Sequence, residues 1–254
     1  MELNKIYNED CLEGMKRIPD GSIDMILCDL PYGTTACKWD TIIPFEPLWE
    51  QYERVIKVNG AIVLTASQPF TSALVMSNPD LFKHEWIWEK HKGTNFYQVK
   101  IAPMKIHESV LVFSKGRYTY NPQMTEGATY KKRGSHHKLP EDHVMTAGKN
   151  IGYSDNLDTS KRYPTSVQFF SNHNQKDNRF HPTQKPTPLF EYLINTYTNE
   201  GETVLDNCMG SGTTAIASMR TGRNYIGFEL DEEYYKVSQK RIIDENAHLE
   251  SQLP

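Results

Sequence analysis

Apolar residues fall into short runs separated by polar turns, and the runs follow two different spacings. Residues 22–28 (Ser-Ile-Asp-Met-Ile-Leu-Cys) are mostly apolar over strand length, the pattern of a buried strand. Phe45, Leu48, Trp49, Tyr52, Val55 and Ile56 recur at helical spacing, and Asn59-Gly60 is expected to close that helix. Residues 61–65 (Ala-Ile-Val-Leu-Thr) predict the next strand, and 85–88 and 109–113 predict two more. Leu189, Phe190, Leu193, Ile194 and Tyr197 mark another helix. Residues 203–206, 213–220, 224–229 and 231–245 then read strand, helix, strand, helix, with Asp231 placed to cap the last. Alternating strands and helices predict the α/β class: a mostly parallel, doubly wound sheet with helices on both faces.

Between about 115 and 185 this periodicity is lost, and Gly, Asn, Ser, Thr, His and Tyr dominate. A structureless loop of that length is uncommon in a compact domain, so the stretch reads as a lid or an inserted recognition segment. The chain has 254 residues, which allows one large domain or two small ones. Its formal net charge of −4 argues against a purely electrostatic nucleic-acid binder. That charge is unevenly spread. Residues 115–185 hold 12 Lys+Arg and 6 Asp+Glu, a net of +6, against 16 and 26 in the remainder, a net of −10. The densest basic cluster is Lys131-Lys132-Arg133 with His136-His137-Lys138. Tyr118, Tyr120, Tyr130, Tyr153, Tyr163, Phe169 and Phe170 surround it. Cations that meet phosphates, interleaved with rings that stack on bases, point to nucleic acid.

The cysteines Cys11, Cys28, Cys37 and Cys208 form no Cys-x-x-Cys pair, so they read as free thiols in a reducing compartment and no metal site is expected. The first residues lack the apolar run of a signal peptide. Residues 59–79 carry no charge, but Ser67-Gln68-Pro69 interrupts them, and neither half would span a bilayer. No membrane association is expected, and the predicted location is the cytoplasm of a bacterial cell or a phage-infected host.

Two loops carry candidate chemistry, each just beyond a predicted buried strand, where ligands bind in open α/β sheets. The first is Cys28-Asp29-Leu30-Pro31-Tyr32-Gly33. Pro31 stiffens the turn and forces Leu30 toward extended geometry. The Asp29 carboxylate and the Leu30 carbonyl then form neighbouring acceptors, suited to a group with two N–H donors such as the exocyclic amine of a base. Tyr32 offers a ring face. The second loop is Asp206-Asn207-Cys208-Met209-Gly210-Ser211-Gly212-Thr213-Thr214, running into a helix. It lacks the lysine of a phosphate-binding P-loop, and its lone serine lacks the Gly-x-Ser-x-Gly elbow of a hydrolase. About 20 residues on, Glu229 ends a strand, where a carboxylate holds the ribose hydroxyls of an adenosine cofactor. A third segment, His181-Pro182-Thr183-Gln184-Lys185-Pro186, reads from its chemistry only as a rigid polar turn.

Taken together, these stretches resemble the amino-group DNA methyltransferases. Asp29-Leu30-Pro31-Tyr32 resembles their Asp-Pro-Pro-Tyr motif, and residues 205–213 resemble their Asp-Pro-Phe-x-Gly-Ser-Gly-Thr cofactor loop. Residues 181–186 match their His-Pro-Thr-Gln-Lys-Pro segment at every position. Asp10-Cys11-Leu12 and His107-Glu108-Ser109-Val110-Leu111 are similar to further family stretches. The order, with the catalytic loop first and the cofactor loop last, is that of the permuted beta group, and the compact insertion resembles phage and prophage methylases. The sequence departs from the family in two places. Leu30 replaces a proline whose backbone carbonyl is the working group, and Asn207-Cys208 replaces Pro-Phe, so that Phe228 or another ring would have to face the cofactor's adenine.

The resemblance implies a Rossmann-like S-adenosylmethionine-dependent methyltransferase fold. Residues 1–114 would form its catalytic half, 115–180 a target-recognition insertion, and 181–254 its cofactor half. It implies methyl transfer to adenine N6 in double-stranded DNA, with Asp29, Leu30, Pro31 and Tyr32 catalytic. Asp10, Lys185, Asp206, Gly210, Ser211, Gly212, Thr213 and Glu229 would line the cofactor site, and Lys131, Lys132, Arg133 and Lys138 would grip DNA. It leaves room for a homodimer and for a cognate restriction enzyme. The alternatives are N4-cytosine methylation, a catalytically silent DNA-binding protein of the same fold, or a regulator that binds purine nucleotides.

Overall fold

The computed structural model of the protein describes residues 1–34, 40–127, 160–172 and 184–251. The chain opens with β1 (Lys5–Tyr7) and a short helix α1 (Cys11–Met15), whose first turn is capped by the Asp10 carboxylate accepting from the Leu12 and Glu13 N–H groups. There follow β2 (Ile23–Asp29), α2 (Phe45–Val55), β3 (Ile56–Ala66), α3 (Phe70–Ser77), β4 (Phe82–Thr94) and β5 (Lys105–Phe113). Two short strands, β6 (Thr125–Glu126) and β7 (Lys161–Arg162), precede β8 (Val167–Phe169). The chain finishes with α4 (Thr187–Tyr197), β9 (Thr203–Asp206), α5 (Thr213–Arg220), β10 (Asn224–Phe228) and α6 (Glu232–Ser251). No helix among the described residues is long and apolar enough to cross a membrane.

Eight strands form one sheet in the order β1-β10-β9-β2-β3-β5-β4-β8. The pairs from β1 through β3 are all parallel, β5 runs antiparallel to both β3 and β4, and β8 is parallel to β4. From β2 the chain winds outward to β3, and from β9 it winds the other way to β10. The winding therefore reverses between β2 and β9, which places a ligand crevice beyond their carboxyl ends.

Strand periodicity sorts the core into two layers. Ile26 and Cys28 of β2, Ile62 and Leu64 of β3, and Leu111 and Phe113 of β5 pack with Trp49 and Tyr52 of α2 and Phe70 of α3. Their chain neighbours Met25, Leu27, Val63, Val110 and Val112 pack on the opposite side with Leu193 and Ile194 of α4 and Ala217 of α5. Both faces of the central strands are buried, so they read as apolar runs rather than as alternations. Asp24 is the polar exception. It pairs with Lys57 at 2.6 Å and accepts from the Thr203 N–H at 3.0 Å, which ties β2 to β9.

Asn59-Gly60 does not close α2. The helix ends at Val55, Ile56 is already extended, and both residues lie within β3. The β2–β3 register shifts between Ile23 and Met25, so the strand is irregular there. A Cβ on Gly60 would come within 2.8 Å of the Asp24 carbonyl, so packing against the neighbouring strand explains this glycine. The predicted strand 85–88 is the middle of the much longer β4. The other strands and helices predicted from periodicity are present, and Asp231 caps α6 through the Glu233 and Tyr234 N–H groups.

The chain divides into two compact units, one of Met1–Asn121 with Ser166–Pro254 and one of Pro122–Thr165. In the second, the described residues form the antiparallel pair β6–β7, in which Thr125 faces Arg162. Three aromatics assigned from sequence to base stacking, Tyr118, Tyr120 and Phe170, belong to the first unit and pack against its aromatic residues, Tyr120 with its ring 6.2 Å from that of Tyr197. Tyr118 hydrogen-bonds His84 and its ring lies 5.9 Å from that of Tyr197; Phe170 packs on Tyr192 at 5.5 Å. Phe169 is exposed on the edge strand β8, Tyr163 is exposed in the second unit, and Tyr130 and Tyr153 lie outside the described residues.

Candidate active site

Asp29 is the last residue of β2 and stands opposite Thr65 in the parallel β2–β3 register. The Thr65 hydroxyl donates to Asp29 Oδ1, and the Tyr32 hydroxyl donates to the same oxygen at 2.8 Å. The Tyr32 ring stacks on Phe70 with centroids 5.2 Å apart. Lys185, just before α4, brings its ammonium to 2.7 Å from Asp29 Oδ2 and 5.4 Å from the centre of the Tyr32 ring. On its other side Lys185 Nζ lies 3.3 Å from Glu108 Oε2, and the second oxygen of Glu108 accepts from Lys90. The Lys90 ammonium sits 5.0 Å over the Trp88 ring. Asp29, Lys185, Glu108 and Lys90 thus form a chain of alternating charge. Both lysines are buried.

Burial alone would discharge Lys185, but the carboxylates of Asp29 and Glu108 outweigh it and hold the ammonium above its ordinary pKa. Burial likewise works against the Glu108 carboxylate, yet Lys185 and Lys90 hold its pKa below the ordinary value. The Tyr32 hydroxyl is pushed up by burial and by Asp29, so it stays protonated and acts as a donor.

The second loop leaves β9 at Asp206, which is almost fully buried. Its carboxylate accepts from the Cys208 N–H at 3.0 Å and from the Thr214 hydroxyl, folding the loop back over α5. Burial pushes this carboxyl up to about 7. Gly212 precedes α5 at φ +87°, a left-handed conformation that favours glycine. Arg241 of α6 pins the loop by donating to the Ser211 carbonyl at 2.6 Å and to its hydroxyl at 3.1 Å. Glu229, beyond β10, accepts the Gly210 N–H at 2.6 Å and the Asp231 N–H at 2.9 Å, and burial raises its carboxyl. Asn207, standing where the family has proline, is wired inward. Tyr52 donates to its carbonyl oxygen, and its amide faces Cys11 Sγ at 3.6 Å and Cys208 Sγ at 3.5 Å. Phe228 does not supply the missing ring: it is fully buried against Gly14 in the core, and the ring of Tyr234 lines the cleft instead.

Asp29, Leu30, Pro31 and Tyr32, and all the predicted cofactor residues except Gly212, line a single cleft of about 920 Å³. Gly212 stands one residue below, as the cap of α5. Asp10 reaches the cleft while one of its oxygens caps α1. Lys185, assigned from sequence to the cofactor, is paired with Asp29 in this structure. Lys131, Lys132, Arg133 and Lys138 lie outside the described residues, as do His181, Pro182 and Thr183. Thr65, Glu108 and Lys90 were not assigned from sequence. The signal for Glu108 is a carboxylate in line with Val110 and Val112 on an otherwise inward-facing strand.

This geometry has clear relatives. Residues 23–240 match the family model of the N6/N4 DNA methylases. The type II methyltransferase M1.MboII of Moraxella bovis is 27% identical over 96% of this chain and 97% of its own length. The DNA adenine methyltransferase YhdJ of Escherichia coli is 28% identical over 95% of this chain and 83% of its own. In fold, the crystal structure of the M1.HpyAVI–SAM complex matches with a TM-score of 0.64 at 23% identity, covering 94% of this chain and 98% of that one. The cytosine-N4-specific PvuII DNA methyltransferase also reaches 0.64, at 16% identity over 96% of this chain and 91% of its own. The chain belongs to the N6/N4 DNA methylase family of S-adenosylmethionine-dependent enzymes.

Proposed function

We propose that this DNA methyltransferase acts on the N6 amine of adenine in double-stranded DNA. The observation that carries the reading is Asp29, a carboxylate at the switch point of the sheet that shares one cleft with the Asp206–Thr214 loop. An aspartate at the first motif position resembles the adenine enzymes, whereas serine is more typical of the cytosine ones. The Escherichia coli relative YhdJ, a DNA adenine methyltransferase, supports the same choice.

The cofactor side has the right chemistry. Asp10 and Glu229 offer carboxylate oxygens to hydroxyl and ammonium groups, the 206–214 loop carries no lysine for a phosphate, and Gly210 (φ +54°) brings backbone to the cleft wall. S-adenosylmethionine supplies an electrophilic methyl on a sulfonium. The protein's own task is to prepare the amine, whose lone pair is delocalised into the purine ring. The base leaves the helix at a cost of roughly a few kcal/mol and enters the cleft. Its two N–H groups donate to the Asp29 carboxylate and the Leu30 carbonyl, which localises the lone pair for attack, and the Tyr32 ring packs on the base. As the N–CH3 bond forms and the S–CH3 bond breaks to leave a neutral thioether, Asp29 is placed to accept the N–H proton that the amine gives up. Orientation of this kind contributes up to about 7–11 kcal/mol. Lys131, Lys132, Arg133 and Lys138 grip the DNA backbone. Sequencing of DNA from cells expressing the chain, with detection of modified bases, tests the reading. N6-methyladenine at a fixed site is expected, and N4-methylcytosine alone would replace it.

A further inference from the structure

We propose that Glu108 is a positioning residue that receives the Lys185 ammonium when the target amine docks on Asp29. The proposal rests on the reading of Asp29 as the amine's acceptor. In the structure that carboxylate is already occupied: Thr65 and Tyr32 donate to Oδ1, and the Lys185 ammonium lies 2.7 Å from both oxygens. An incoming N–H donor has to displace one of them. Lys185 is the one that must give way, because a cation at 2.7 Å opposes the positive charge that develops on a methylated amine.

A buried ammonium cannot be released to nothing, since an unpaired buried charge is strongly unfavourable. Glu108 provides the alternative seat. Its Oε2 is buried, has no other hydrogen-bond donor among the described residues, and already pairs loosely with Lys185 Nζ at 3.3 Å. A small shift of the ammonium releases Asp29 and tightens the pairing with Glu108 that is already in place. No proton is transferred, and the total charge of the cluster is unchanged. Lys90 holds the other oxygen of Glu108, so the receiving carboxylate stays ionised and fixed. A purely structural role accounts poorly for this arrangement. Well-packed apolar residues replace buried ion pairs at little cost or with gain, and the next inward residues of β5, Val110 and Val112, are apolar.

The test uses the full chain with Glu108→Gln and with the double variant Glu108→Gln/Lys90→Met. The readouts are single-turnover methyl transfer to DNA at saturating S-adenosylmethionine, affinity for each substrate, and thermal stability. Glu108→Gln is expected to slow transfer roughly ten- to a hundredfold, the usual effect of losing a hydrogen bond to a charged group, with both affinities unchanged. It also strands Lys90 without its counter-ion and lowers the melting temperature. The double variant removes both charges and is expected to regain stability while transfer stays slow. Recovery of the wild-type rate in the double variant would show a structural role and overturn the proposal. So would weakened S-adenosylmethionine binding with a normal rate at saturation. Wild-type transfer with an unaffected Glu108→Gln variant overturns this role alone, whereas a wild type that methylates no DNA overturns it together with the function it rests on.

Discussion

Lys185 and Asp29 are separated by 156 positions in the chain and meet in one ion pair at 2.7 Å. The contact joins the strand end that carries the proposed catalytic carboxylate to the segment that leads into α4. It also leaves Asp29 saturated with donors from Thr65, Tyr32 and Lys185, so the acceptor is oriented before any base arrives. The first predictions concern that carboxylate and its holders.

Replacing Asp29 by alanine removes the acceptor and leaves Lys185 with Glu108 as its remaining carboxylate partner. Methyl transfer to DNA is expected to fall on the order of a hundredfold or more, as when a preorganised transition-state hydrogen bond is deleted elsewhere. Affinity for S-adenosylmethionine, measured by calorimetry, should persist. Full methylation by the variant would remove Asp29 from the mechanism.

Thr65→Val keeps the volume and deletes one donor to Asp29 Oδ1. The loss is worth about 1.5–3 kcal/mol when the acceptor is charged, so the single-turnover rate should drop about tenfold or more. The fold should survive, because Thr65 sits in a strand where a β-branched residue is favoured. A rate equal to wild type would mean that Thr65 does not help position Asp29.

Glu229, which lines the cleft and is proposed to bind the cofactor, is held by the Gly210 and Asp231 N–H groups. Glu229→Ala should weaken S-adenosylmethionine binding about tenfold or more while DNA affinity is kept, since one charged hydrogen-bonding group is lost. Titration of each ligand separately checks this, and an unchanged cofactor affinity would contradict it.

Asp206 gives a pH dependence. Burial raises its carboxyl from 3.8 to about 7, so the folded state holds the proton more tightly than the unfolded chain. Its contribution to stability is therefore complete below the unfolded value and is lost as pH rises toward 7. Wild type should lose stability relative to Asp206→Asn across that window, by up to about 1.4 kcal/mol per pH unit. Parallel melting curves of the two proteins at each pH provide the check, and a constant difference would count against the shift.

The fold was legible where burial is two-sided. Residues 22–28 and 61–65 are mostly apolar because helices cover both faces of β2 and β3, and 203–206 and 213–220 coincide with β9 and α5. The end of α2 is misplaced by the sequence pattern because Asn-Gly ordinarily stops a helix, whereas here both residues lie within β3 and Gly60 permits close approach to the Asp24 carbonyl. Strand β1, with three residues, and helix α1, with five, are too short to leave a period. In the site, the two loops were visible as small and acidic residues after strands. Their partners were not: Thr65 reaches Asp29 through strand register, and Lys90 reaches Glu108, the second partner of Lys185, through the β4–β5 pairing, neither of which has a local sequence pattern.

The most direct test incubates the purified chain with duplex DNA and methyl-labelled S-adenosylmethionine, digests the DNA to nucleosides, and separates them by chromatography. Label in N6-methyl-2′-deoxyadenosine from the wild-type protein, reduced on the order of a hundredfold or more in Asp29→Ala, is the predicted result. Label confined to N4-methyl-2′-deoxycytidine would contradict the adenine assignment, and undiminished label from Asp29→Ala would contradict the role of the carboxylate.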